Sequence, residues 1–444
     1  MLAGKDWRVA SAHPWRLVAA ARSLRLEQVP DEVVDHTARV IADTVGVVIG
    51  GARRPEIGRL VSGGGPLFYP LAGGRAQIFT PDMPGADPTV AAFVNATAGT
   101  FLELDEGCRP TGHPAMHVVP AALAAAQALR APGDEFVAAV LGGYEVTARL
   151  FEAYRLTYPL HPHGHFGAVG AAVAVARLRG VDAVEPATIA ATLPLLPVWQ
   201  PCTEGATARN AYTGVGAAIG LTANRLATAG FTGSREAQEA AFGELVGRLV
   251  RPAALTDPVD PGHLRISRNY MKLHSACALS HSALDAVLAL GPPPAEDVTR
   301  VEVETVSNNL KIAGQARPND LSTRFSIPYA VAAAIMHGHT APEAFAPDER
   351  VAELARRVEV RAAGDLEEAW PDAAPARVTV HTRNGDLEKR VDNPRGHYAN
   401  PATPKELRAK FELLVGGADP GRLYERLLNI REVEDISATF KGIS

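Results

Sequence analysis

The chain has 444 residues, 47% of them apolar and 21% charged, with 44 Lys and Arg against 49 Asp and Glu for a formal charge of −5. That length exceeds one ordinary core and points to two or three domains, while the absence of a cationic block argues against nucleic acid as a partner. Cys108, Cys202 and Cys277 stand far apart and outside any CxxC pair, so neither a disulfide frame nor a zinc cluster is expected and the compartment reads as reducing.

The N-terminal stretch MLAGKDWRVASAHPWRLVAAARSLR has no apolar core of signal-peptide length, and no window approaches 18 uninterrupted apolar residues. A cytoplasmic protein without a membrane partner is expected. From Pro30, Val33, Val34, Thr37, Val40, Ile41, Thr44, Val45 and Val48 recur at helical spacing and close on Gly50-Gly51, an amphipathic helix. A Gly/Pro-rich connection from Gly63 to Pro88 leads to a second helix over Thr89 to Phe101.

The next stretch, Phe101 to Ala128, sets Glu103, Asp105 and Glu106 ahead of His113 and His117 and then runs into an alanine-rich helix. Carboxylates facing a histidine supply what proton transfer needs: a base tunable near neutral pH and a fixed partner for its second nitrogen. The bland alternative is a solvated loop whose histidines pack against or cap the next helix. Helices follow at His117 to Leu129 and Asp134 to Leu150, and their small side chains suit a compact, mostly antiparallel bundle rather than a parallel-sheet nucleotide fold.

His161, His163 and His165 alternate ahead of another Gly/Ala helix. In an extended segment only His161 and His165 would share a face, so no metal site is expected there. Gly164, Gly167 and Gly170 have neither the preceding strand nor the following acid of a dinucleotide fingerprint, and no cofactor is expected. The loop enters a helix N-terminus, which favours an anionic ligand. Arg209 and Tyr212 are the bulky polar groups of a long small-residue helix over Gly205 to Gly230, and Arg209 reads either as an anion clamp or as a surface residue.

From Leu264 the pattern changes. Lys272, His274 and His281 gather near a helix start, and strand-like runs appear at Val301 to Val306, Val358 to Arg361, Ala376 to Thr382 and Leu387 to Val391, the last two joined by an Asn384-Gly385 hairpin turn. Phe325 to Gly338 reads as a helix with Pro328 in its first turn. Thr403-Pro404-Lys405-Glu406 is a capping box opening a helix through Leu414. The fold class expected is therefore mainly α with a smaller α+β domain: a helical domain over 1–263 and 400–444, and an α+β lid over 264–399.

These stretches resemble the MmgE/PrpD family, whose members include 2-methylcitrate dehydratase, cis-aconitate decarboxylase and iminodisuccinate epimerase. The likeness runs over roughly residues 30 to 415. It rests on Asn95 to Asp105 with His113-Pro114, His161-Pro162 with Gly164 and Phe166-Gly167, Arg209 to Gly214, Lys272, His281 to Asp285, Phe325-Ser326 with Pro328-Tyr329, and Pro394-Arg395-Gly396. The resemblance implies a homodimer with a cofactor-free site between a helical domain and an α+β lid. It makes His113, His161, Lys272, Asp105 and Tyr329 the catalytic candidates, and Glu103, Arg209, His163, His281 and Arg324 the substrate-binding ones. The acidic loop reads Glu103-Leu104-Asp105-Glu106 where the family usually has D-F-D-D or E-L-D-D, and Thr100 replaces a histidine, so the reaction class carries over and the substrate does not. The expected activity is that of a cofactor-independent lyase, a hydro-lyase of the 2-methylcitrate dehydratase kind, acting on a small di- or tricarboxylate by proton transfer next to a carboxylate. The alternatives are an epimerase of an amino- or imino-dicarboxylate, a decarboxylase of a cis-aconitate-like acid, and a non-catalytic helical metabolite-binding protein.

Overall fold

Alanine and glycine dominate the helices that surround His165–Leu178, and their size sets how closely those helices approach. In the computed structural model, which describes residues 13–63, 73–193 and 195–440, this helix packs against Pro114–Leu129, Gly133–Ala153 and Ala211–Thr228. A Cβ on Gly143 would stand 2.6 Å from the Gly170 carbonyl oxygen, so backbone meets backbone at that crossing. The expected N-terminal reading falls in part on residues 1–12, and the Gly63 to Pro88 connection on 64–72; both lie outside the described residues.

The helix expected from Pro30 spans Asp31–Ala52. It is buried on nearly every face rather than on one stripe, because Pro88–Ala98 and the C-terminal Pro404–Val415 and Pro420–Leu428 pack on it from several sides. Thr403 and Glu406 form the reciprocal capping box, a device contributing about 1 kcal/mol, and the helix they open buries Leu407, Phe411 and Leu414 in the larger core. The run expected as one helix from Gly205 divides into a 3₁₀ turn, Thr207–Asn210, and the helix Ala211–Thr228.

The smaller core is built on a four-stranded sheet. Strands β1 (Val298–Thr305), β2 (Val358–Ala362), β3 (Ala376–Thr382) and β4 (Gly385–Val391) lie in the order β4-β3-β1-β2, with β1 and β2 parallel and the remaining pairs antiparallel. Gly385, at φ +122°, begins β4 directly after the turn at Asn384. The inward residues Val301, Val303, Val378 and Val380 meet Ile327–His337 and His281–Ala289. Leu264, Ile266 and Met271 are buried in the larger core and Ala276 in the smaller, so packing changes over after Met271 rather than at 264. No helix among the described residues is long and apolar enough to cross a membrane.

Candidate active site

The acidic loop is placed by a two-residue strand. Gly107 pairs with Tyr270 and Cys108 with Asn269 in antiparallel register, and continuing that register two residues sets Asp105 opposite Lys272. Beyond Cys108 the chain reverses, with the Cys108 N–H donating to the Gly112 carbonyl at 2.9 Å. Gly112 sits at φ +119° with the Phe151 ring occupying the place of a Cβ, a position only glycine fills without strain. The reversal returns His113 to Asp105. Glu103 holds the left-handed conformation at φ +50°, unusual for a residue with a side chain and fixed here by the two cations that grip its carboxylate.

Five charged or titratable groups meet at this point. The Arg209 guanidinium donates to Glu103, and Lys272 Nζ lies 3.0 Å from Asp105 Oδ1 and 3.4 Å from Glu103 Oε2. His113 Nδ1 is 2.7 Å from both the Glu106 carbonyl and Asp105 Oδ2; its N–H direction suits the carbonyl, and Asp105 acts as the ion-pair partner alongside. Nε2 is left for the open side of the ring. Burial alone would raise the Asp105 carboxyl, but Lys272, His113 and Arg209 together hold it well below the ordinary carboxylate range. Burial works against the Lys272 ammonium too, and Asp105 with Glu103 outweigh it, so Lys272 stays charged.

The histidine loop departs from the extended segment expected. It bends through residues 162–164, with Gly164 at φ +100°, and so brings His161 and His163 edge to face at 4.5 Å. His161 Nδ1 accepts the His163 backbone N–H at 3.2 Å, which puts the ring proton on Nε2, and the ring lies against Trp199. Burial, with Arg209 and His113 adding to it, keeps His161 well below its ordinary value and therefore neutral. His117, outside the expected site, ties the two loops together: Nδ1 donates to the His113 carbonyl at 2.8 Å and Nε2 accepts from Gly164 N–H at 2.8 Å. Gly167 leaves room for that ring, since a Cβ there would overlap it.

A cavity of about 760 Å³ opens from this cluster between the two cores. Glu103, His113, His161, Arg209 and Lys272 line it, and the five other expected residues, Asp105 among them, do not. His163 lies behind the first layer, enclosed by the rings of His113, His161 and His117, with neither nitrogen hydrogen-bonded among the described residues. His281 stands behind the cavity-lining Tyr270, whose hydroxyl meets its Nδ1, and its Nε2 donates to Ala276 O. The Tyr329 hydroxyl is committed to the Ala346 carbonyl and the Asp348 N–H, fastening the Ala346–Asp348 turn to its own helix. Arg324 donates to Ser275 and the Pro342 carbonyl, and Ser275 Oγ donates in turn to the Leu102 carbonyl, so the guanidinium braces the acidic loop from outside the cavity. Tyr270, Trp199 and Phe325 also line the cavity and were not among the expected site residues, since a single aromatic carries no distinguishing sequence pattern.

The nitrogens of His113 and His163 and a carboxylate oxygen of Asp105 lie within 4.8 Å of one another, a different trio from the alternating histidines. Lys272 holds Asp105 Oδ1, while Oδ2, without a hydrogen bond among the described residues, is the oxygen that faces both rings.

Glu106 is buried beneath them, accepting from the Tyr144 hydroxyl and, at 3.1 Å, from Ala115 N–H. Burial, reinforced by Asp105 and Asp43 and opposed by those hydrogen bonds, pushes its pKa up from 4.5 to about 8. The folded chain then keeps a proton that the unfolded chain releases, so its contribution to stability is full below pH 4.5 and is lost as pH rises towards about 8. Glu106→Gln is expected to remove that slope, up to about 1.4 kcal/mol per pH unit, from unfolding free energies measured between pH 5 and 8. Parallel profiles for the two proteins would show that Glu106 is ionised in the fold.

The MmgE/PrpD N-terminal domain matches residues 16–247 and the MmgE/PrpD C-terminal domain matches residues 274–434. The chain is similar to the cis-aconitate decarboxylase of Homo sapiens, 24% identical over 465 aligned positions that cover 94% of this chain and 92% of that protein. It is also similar to the cis-aconitate decarboxylase of Mus musculus, 23% identical over 425 positions covering 87% and 83%. With an N-terminal and a C-terminal domain both matched in order, the chain belongs to the MmgE/PrpD family.

Proposed function

We propose that the protein is a cofactor-independent lyase acting on a small di- or tricarboxylate, with the cluster around His113 moving the proton next to a substrate carboxylate. The observation that carries this reading is His113, which lines the cavity beside Lys272 and Arg209 with its Nδ1 turned inward to the buried Asp105. Asp105 and the Glu106 carbonyl hold His113 by Nδ1, so Nε2 is the nitrogen that takes or returns a proton. His161, neutral with its proton on Nε2, is suited to donate a hydrogen bond to an oxygen that gains negative charge. Lys272 has a third N–H beyond the two directed at Glu103 and Asp105, and it serves the same developing charge.

The activity of the two relatives weighs towards loss of CO₂ over loss of water. In that case the C–C bond to the leaving carboxylate breaks, its electron pair stays on carbon, and protonated His113 returns a proton there. Dehydration would instead have His113 remove the α-proton while hydroxide departs with a proton from His161. Epimerisation would need two bases facing one carbon, and the neutral, buried His161 is a poor second base.

The test is proton NMR in deuterated water, after exhaustive chelation, with cis-aconitate and a panel of hydroxy- and amino-dicarboxylates. Decarboxylation yields a product one carboxylate smaller carrying one deuteron, dehydration an alkene, and epimerisation exchange without change of composition. A chain that turned over none of these and gained no thermal stability from any would be a binding protein or act on another class of molecule.

A further inference from the structure

Cations crowd the cavity: eight Arg or Lys side chains line it against four carboxylates, in a chain whose net charge is −5. Most are already paired. Arg209 and Lys272 are held by Glu103 and Asp105, so the inner end is balanced before any ligand arrives. Arg265 is held by Glu145 and Glu152, and Arg251 by Glu152.

Arg109 is different. It projects from the Cys108–Gly112 turn, four residues before His113, is partly buried, and lines the cavity with its Cζ 5.9 Å from the centre of the Trp370 ring. Among the described residues no acceptor takes a hydrogen bond from its guanidinium, and Nε is buried without a partner. Asp372, the carboxylate whose charge acts on it, is mostly exposed and lies 3.7 Å from Arg268 instead. Arg155 and Lys311, also without an ion pair, are exposed. Withdrawing an unpaired guanidinium from water is costly, and here burial lowers its pKa with no carboxylate held against it to restore the balance. The turn cannot swing it out freely, being closed by the Cys108–Gly112 hydrogen bond and pinned to Asn269 and Tyr270 by the strand pairing.

Resting on the polycarboxylate reading above, we propose that Arg109 binds the second carboxylate of the substrate, the one that does not react, and thereby selects di- and tricarboxylates over monocarboxylates. A guanidinium fork matches a carboxylate through two parallel N–H donors, and an anion seated there would meet the cation's unsatisfied hydrogen bonds. A cavity of about 760 Å³ gives a small acid many orientations, so a second anchor beside His113 is what would fix the reacting carbon over Nε2.

Calorimetric titration of the wild type, Arg109→Gln and Arg109→Lys with butyrate, succinate and tricarballylate tests this. The wild type is expected to bind the two polycarboxylates at least about tenfold tighter than butyrate, a difference of about 1.4 kcal/mol. Arg109→Gln should erase most of that preference, leave butyrate binding unchanged and keep the thermal midpoint, and Arg109→Lys should restore part of the preference. A preference that persists in Arg109→Gln, or an equal weakening for all three acids, would overturn the assignment while leaving the proposed function standing. A wild type that binds none of the three would instead count against the proposed function itself. Should Arg109→Gln fail to fold, Arg109→Lys carries the same comparison, because it keeps the charge and loses the fork.

Discussion

His113→Ala is expected to lower kcat by about a hundredfold or more on whichever polycarboxylate the wild type turns over, with the fold retained. His113 is the imidazole that both lines the cavity and has its inner nitrogen fixed by the Glu106 carbonyl, with Asp105 alongside. His161 cannot replace it, because burial keeps that ring neutral and its Nδ1 is occupied by the His163 N–H. His163 cannot either, since it lies behind the first layer. The fold should tolerate the change: His113 makes no side-chain cap to Pro114–Leu129, and Asp105 keeps Lys272. Circular dichroism and the thermal midpoint would establish folding, and near wild-type turnover by a folded variant would remove His113 from the mechanism.

What the sequence could and could not disclose divides along a physical line. Elements with local signals are legible: the capping box at Thr403, the hairpin at Asn384-Gly385 and the apolar spacing from Val33 all correspond to observed elements. The resemblance placed His113, His161, Lys272, Arg209 and Glu103 together, and the structure brings all five to one cavity. It failed where only three-dimensional packing decides which way a side chain turns. Tyr329 and Arg324 lie in the segment the resemblance pointed to, yet each is spent on backbone groups of its own domain. The alternation of His161, His163 and His165 reads as an extended segment, and the bend at Gly164 instead brings His163 edge to face with His161. The unusual state of Glu106 was illegible for a related reason. Its neighbour Asp105, one position away, is held charged by Lys272, whereas Glu106 faces Tyr144, a residue 38 positions along the chain.

The largest effect on stability is expected from Lys272→Met. The wild-type ammonium is fully buried and lies between two buried carboxylates, Glu103 and Asp105. Methionine fills much the same volume and leaves both acids behind. Glu103 still has Arg209, but Asp105 loses the cation that lowers its carboxyl most. Removing one partner of a buried pair typically costs about 3–5 kcal/mol, because the remaining charge is stranded without water. The sign with pH follows from Asp105. Its pKa is depressed in the fold, so the stabilisation Lys272 gives is present above the unfolded value of 3.8 and is lost as pH falls through the lower folded value. The gap in unfolding free energy between wild type and Lys272→Met should therefore be widest near neutral pH and narrow on acidification below about pH 4. Lys272→Arg keeps the charge and should recover part of both stability and substrate binding, whereas KM for Lys272→Met should rise strongly with the loss of the third N–H. Denaturant titrations at pH 7 and in acid, together with KM for the three proteins, supply both readouts. Equal stability and equal KM in all three would mean that Asp105 is protonated in the fold and that Lys272 neutralises neither it nor the substrate.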